Sequence, residues 1–206
     1  MKEQTRAYYP DRTGHFERSG VRIAYEVYGS GEPTVLLLPT WSVVHSRQWK
    51  AQIPYLARHA RVVTFDGRGN GDSDRPPGVA AYLDEEYVRD AVAVMDETNT
   101  DAAVVVGFSC GAAWGVQLAA EHPDRVRGLA AIAPSIGLAP GHPEREITGR
   151  FEEGLDTDDA WAKHNRHYMS RDLEGFVHFF SGELFNEPHS SKHREDFVDW
   201  ALESDA

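Results

Sequence analysis

The sequence predicts an α/β fold, a mostly parallel sheet covered on both faces, and three observations predict it. Apolar runs alternate with helical stretches through the middle of the chain. Those runs are continuous, as "TVLLLP", "RVVTFD" and "AAVVVGFS" show, which is the pattern of strands buried on both faces. Loops rich in glycine and proline, "GSGEP" and "GRGNGDSDRPPG", punctuate them. Alternating strands and helices of this kind imply βαβ units.

Taken in order, "HFERSG" and "VRIAYEVYG" read as two strands joined at Ser19-Gly20. In the second, Val21, Ile23, Tyr25 and Val27 alternate with Arg22, Ala24, Glu26 and Tyr28, a period of two. "TVLLLP" is the next strand, followed after "TWSVVHS" by a helix from about Arg47 to His59, and then by the strand "RVVTFD". "YLDEEYVRDAVAVMDET" reads as a helix with Tyr87, Ala91, Val94 and Met95 on one face. "AAVVVGFS" is a strand, "CGAAWGVQLAAEH" a helix ended by Pro123, and "VRGLAAIAP" a strand. From about Pro140 no further strand is evident. Polar helical segments follow around Glu144 to Gly154, Asp158 to Phe180 and Ser191 to Glu203, carrying aromatics that include Trp161, Phe176, Phe197 and Trp200. The expected division is a core over residues 1–139 and a helical segment over 140–206.

The chain has 206 residues, a size for one domain or one domain with an insertion. A net charge of −12 argues against nucleic acid and anionic membrane as partners. The single cysteine, Cys110, excludes an intrachain disulfide and a cysteine-rich zinc site. The opening "MKEQTRAYYPDRTG" has no apolar core of a secretory leader, and no apolar run is long enough for a membrane span. The expectation is a cytoplasmic protein that needs no metal or cofactor.

The most informative stretch is "VVVGFSCGAAWG". Gly107-Phe108-Ser109-Cys110-Gly111 matches G-x-S-x-G, with a buried strand leading in and an alanine-rich helix leading out. A sharp strand-to-helix turn holds its serine in a strained backbone geometry and needs flanking glycines, because a Cβ there meets backbone. The helix start then presents free N–H groups and the positive end of the helix dipole beside Ser109. The Cys110 N–H is placed to hold an oxyanion. Ser109 is the candidate nucleophile, Gly107 and Gly111 the glycines of its elbow.

On these residues the chain resembles the α/β-hydrolase fold, from about His15 onward, and most closely its esterase and haloperoxidase-like group with a helical cap. "VLLLPTW" stands where the family has its third strand and oxyanion loop; members often carry His-Gly there, and this chain has Pro39-Thr40. By position, the resemblance makes the Trp41 N–H the second oxyanion donor. "WKAQIPYLARHARVVTFDGRGNGDSDRP" and "AAEHPDRVRGLAAIAP" match the fourth-strand and sixth-strand regions. The helical segment falls where the family inserts its cap. The resemblance thus implies about six of the usual eight strands with a partial, incomplete cap.

It also implies an acid after the seventh strand and a histidine after the eighth, in the order Ser, acid, His. The sequence closes at "WALESDA", within the cap-like stretch, and "APSIGLAP" after the sixth strand has no carboxylate. The histidines beyond Ser109 are His122, at the far end of the next helix, and six in the cap-like stretch. His45 follows the oxyanion loop and is left unassigned. The expectation is therefore an N-terminal portion whose triad acid and histidine come from a missing C-terminal segment or a second chain, and whose last strand is an open apolar edge.

Three lesser signals carry less. Gly67-x-Gly69-x-Gly71 lacks the G-x-G-x-x-G spacing and its helix. Ala133-Pro134-Ser135-Ile136-Gly137 mimics an elbow without a following helix. His164 and His167 lack a third metal ligand. The leading reading is a serine hydrolase of a small-molecule ester-like substrate, with amide and thioester as variants. A binding or interaction module that keeps the elbow without the triad stays open beside it.

Overall fold

The computed structural model describes residues 7–138 and 141–203. The chain divides into two compact units, one reaching Ile136 and one starting at Gly137. The boundary expected at residues 139 and 140 lies outside the described residues.

The first unit is a six-stranded sheet: β1 (Arg12–Arg18), β2 (Val21–Tyr28), β3 (Thr34–Leu37), β4 (Arg61–Phe65), β5 (Ala103–Phe108) and β6 (Val126–Ile132), in the order β1-β2-β4-β3-β5-β6. The β1/β2 and β2/β4 pairs are antiparallel, while β3/β4, β3/β5 and β5/β6 are parallel. The mostly parallel α/β sheet expected from the sequence is therefore present.

The continuous apolar runs conceal a period of two. Leu36 and Leu38 enter one core with Val63, Phe65 and Val105, beneath α2 (Asp84–Glu97) and α3 (Cys110–Glu121). Val35 and Leu37 enter the other with Tyr28, Val62, Trp49 and Ile53. In β2, Ala24 and Tyr28 are buried beside Val21, Ile23, Tyr25 and Val27, so only Arg22 and Glu26 break its burial. Tyr87, Ala91, Val94 and Met95 form the buried face of α2, as their spacing predicts.

The helix expected over residues 47–59 is two short pieces, a 3-10 turn at Ser46–Trp49 and α1 (Ile53–Leu56). His45 caps the first, its Nδ1 accepting the Arg47 N–H at 3.3 Å, and Pro54 opens the second, where its missing N–H costs nothing.

A buried ion network ties β1 to α2 and to the loop after β4. Asp90, fully buried, accepts from Arg68 at 2.8 and 2.9 Å and from Arg18 at 2.6 Å, and Arg18 also meets Glu86 at 2.6 Å. Asp66 serves the same loop, accepting the Ser46 and Asp72 N–H groups at 2.9 Å each. Among the described residues β6 ends the sheet, with Leu129 37% and Ile132 48% exposed.

The second unit contains α4 (Arg166–Arg171), α5 (Leu173–Leu184) and α6 (Ser191–Ala201), with 3-10 turns at Pro143–Arg150 and Ala160–Lys163. The segment expected to be helical from Asp158 to Phe180 is cut twice by N-caps. Asn165 accepts the His167 N–H at 2.9 Å, and Asp172 accepts the Gly175 N–H at 2.8 Å. The aromatics form this unit's own core: Trp161 packs edge-on against Phe179 and Phe180, Phe176 stacks on Phe180, and Phe180 touches Phe197. No helix among the described residues is long and apolar enough to cross a membrane.

Candidate active site

Ser109 ends the run of β5 and caps α3, with φ 54° and ψ −118°. This is backbone that a residue with a Cβ rarely adopts. Both glycines around it are forced by contact. A Cβ on Gly107 would overlap the Gly111 carbonyl, and one on Gly111 would overlap the carbonyl oxygen of Pro39. Gly115, one turn on, lets α3 approach Leu129 and Leu38.

Main-chain hydrogen bonds hold the turn. The Ser109 N–H donates to Ile132 O at 3.0 Å, and its carbonyl accepts from Ser135 N at 3.1 Å and from the first turn of α3. The loop after β3 is fixed to the same place. The Thr40 hydroxyl donates to Phe108 O at 3.1 Å, and Trp49 Nε1 donates to Leu38 O at 2.9 Å. The segment Pro39–Trp41 thus runs beside the elbow, with Trp41 half-buried.

Ser109 and Cys110 are half-buried, so the serine is reachable from solvent. Burial pushes the Cys110 thiol up; the Ser109 hydroxyl opposes this, the Asp84 carboxylate adds to it and the Ser135 hydroxyl opposes it. Behind the elbow, Trp114 stacks on Tyr87 with ring centroids 3.9 Å apart and donates to Asp84 at 2.7 Å. The arrangement puts an accessible hydroxyl at the N-terminus of a 12-residue helix, where unpaired N–H groups and the dipole favour negative charge.

The other residues singled out in the sequence have surroundings of their own. His122 caps the far end of α3, about 20 Å along the helix from Ser109. His164 is enclosed by Phe151 and Phe176, His167 meets Glu152 O, and His178 lies beside Glu174, all within the second unit. His45 is a buried cap. Ala133 takes φ 45°, and among the described residues no helix directly follows Ser135. The contacts of Thr40 and Ser135 with the elbow went unread in the sequence: each stands in a stretch that was singled out for another reason, and both act between neighbouring strand ends.

A parallel-sheet core with a strained serine between strand and helix defines a hydrolase-type scaffold. The chain belongs to the alpha/beta hydrolase fold family, whose model matches residues 33–199. It is 33% identical over 144 residues to epoxide hydrolase A of Mycobacterium tuberculosis, covering 68% of this chain and 44% of that protein. It is 34% identical over 112 residues to 2-hydroxymuconate semialdehyde hydrolase of a Pseudomonas species, covering 54% and 39%. The solved structure of Est816, described as an N-acyl homoserine lactone degrading enzyme, matches with a TM-score of 0.69 at 28% identity, covering 91% of this chain and 63% of that one. The chain spans less than half the length of these two sequence relatives.

Proposed function

We propose that this chain carries the nucleophile and oxyanion side of a serine hydrolase for ester-like substrates. The observation that carries the reading is Ser109 at φ 54°, flanked by two glycines that backbone contacts make obligatory. In this reading Ser109 Oγ attacks an acyl carbonyl, and the Cys110 and Trp41 N–H groups hold the oxyanion. Collapse of the tetrahedral intermediate breaks the ester C–O bond and expels the alcohol, which takes up the proton that Ser109 lost; water then attacks the acyl-serine, releasing the acid and restoring the serine hydroxyl.

Chemistry narrows the choice among the activities named for the relatives. Attack of a serine on an epoxide would leave an ether, which has no carbonyl for water to attack. Attack on an ester or lactone leaves an acyl-serine that water can cleave. An acyl substrate, of which the lactone named for Est816 is one form, therefore suits Ser109 better than an epoxide.

The triad acid and histidine come, in this proposal, from a C-terminal segment or second chain that pairs with the open edge of β6, and the helical second unit belongs to the cap. Supporting this are the length of the relatives and the distance of His122 from Ser109. Loss of a triad base costs about 10⁴ to 10⁶ in turnover in serine hydrolases, so the chain alone is expected to react slowly.

A fluorophosphonate probe tests the reading, with mass spectrometry locating the adduct. Slow labelling at Ser109, faster with added imidazole and absent in Ser109→Ala, is expected. Labelling that survives Ser109→Ala would overturn the nucleophile assignment. No labelling even with imidazole would favour a binding module. Rapid stoichiometric labelling without imidazole would show that the base is already present.

A further inference from the structure

One peptide unit, from the Phe108 carbonyl to the Ser109 N–H, is held at both ends. A trans peptide points these two groups in opposite directions within one plane. On one side the Ser109 N–H donates to the carbonyl of Ile132, the last residue of β6, at 3.0 Å. On the other the Phe108 carbonyl accepts from the Thr40 hydroxyl at 3.1 Å. The tilt of this plane sets φ of Ser109, which stands at 54°. Rotating the plane is the direct way for a residue with a Cβ to leave that region, and the two hydrogen bonds oppose the rotation.

Thr40 fills a place that a main-chain group would fill in a longer strand. The Leu38 N–H donates to Val106 O at 2.9 Å, one step past the end of β3. Groups on one edge of a strand recur every second residue, so the next carbonyl of β5 on that side is Phe108 O. A strand that ran on would meet it with the N–H of residue 40. Here the Thr40 side chain meets it, and the main chain leaves the ladder for the loop that holds Trp41. Thr40 is 6% exposed, which shields its hydroxyl from competing water.

We infer that Thr40 is a positioning residue of the elbow: its hydroxyl clamps the peptide plane between Phe108 and Ser109, and so keeps the Ser109 hydroxyl in its attacking pose and in register with the loop after β3. The purpose of the clamp rests on the serine-hydrolase reading; its geometric test does not.

The experiment compares the unaltered 206-residue chain with Thr40→Val, which keeps the branched shape without the hydroxyl, and Thr40→Ser, which keeps the hydroxyl. Two readouts come from the folded state. The three-bond coupling between the amide and α protons of Ser109, measured by NMR, reports its φ. It is expected to depart from the unaltered value in Thr40→Val and to return in Thr40→Ser. Fluorophosphonate labelling of Ser109 with imidazole is expected to slow about tenfold in Thr40→Val, the worth of one hydrogen bond of ordinary strength, and to recover in Thr40→Ser. A merely structural role would lower the melting temperature and leave both readouts unmoved. An unmoved coupling in Thr40→Val, a labelling rate that does not fall with it, or a change that Thr40→Ser does not restore would overturn the inference. Thr40→Ala carries the same test if the valine variant does not fold. Failure of both to fold while Thr40→Ser folds would make the hydroxyl a requirement of the whole fold and also overturn it. A coupling that responds while Ser109 never labels in any variant would retire the hydrolase reading and leave the clamp standing. Labelling at Ser109 with an unmoved coupling would do the reverse.

Discussion

Replacing Ser109 by glycine and by alanine gives a pair of variants that differ only in a Cβ, and their stabilities should differ in a direction opposite to the usual one. Both lose the hydroxyl. Alanine keeps the side-chain carbon that φ 54°, ψ −118° disfavours, a conformation that costs about 1–3 kcal/mol. Glycine removes that cost and loses about 0.5–1 kcal/mol through the greater freedom of its unfolded state. The balance favours Ser109→Gly over Ser109→Ala by about 0.5–2 kcal/mol, or about 1–8 °C in melting temperature for a chain of this size. Differential scanning calorimetry of the two variants measures it. A glycine variant that melts at or below the alanine variant would refute the claim that the elbow is strained.

Gly111→Ala should cost about 1–3 kcal/mol in urea titrations and slow Ser109 labelling, because the new Cβ pushes Pro39 and the loop behind it. Asp90→Ala should lose about 3–5 kcal/mol, since it strands the buried Arg68 guanidinium. Arg89→Ala, at the exposed rim of the same network, should change stability by less than about 1 kcal/mol. His164 gives a pH signature. Burial, and then the charge of Arg145, hold its imidazole below the ordinary range. The neutral ring is therefore favoured in the folded state, and stability is complete above the unfolded value of about 6.5 and falls as pH drops below it. Thermal melts at pH 7.5 and 5.5 should show a larger acid loss in the unaltered chain than in His164→Asn.

The elbow was legible because its signal is local: a valine run, two glycines and an alanine-rich helix are consecutive, and each answers a steric demand met within a few residues. The place of β6 at the end of the sheet among the described residues was legible for a similar reason, since no strand-like run follows it in the given sequence. Helix boundaries were less so. Periodicity alone ran a helix through residues 47–59 and through 158–180, where Pro54, Asn165 and Asp172 act as starts that interrupt it. The ion network was out of reach, because Arg18 and Asp90 stand 72 positions apart. The Ser135 contact was hidden for a further reason. Its decisive group is a backbone N–H, which every residue except proline carries and no sequence motif marks.

That last point bears on how such a site can change its chemistry. The position of Ser109 is referenced to main-chain atoms of β6, α3 and the Pro39 loop. In the proposed reading, side chains around Ser109 that make none of these contacts can therefore be exchanged without moving its hydroxyl. Alignment of the attacking atom and choice of substrate are set by separate parts of the molecule, so a mutational search for new substrates would draw on the second while leaving the first intact.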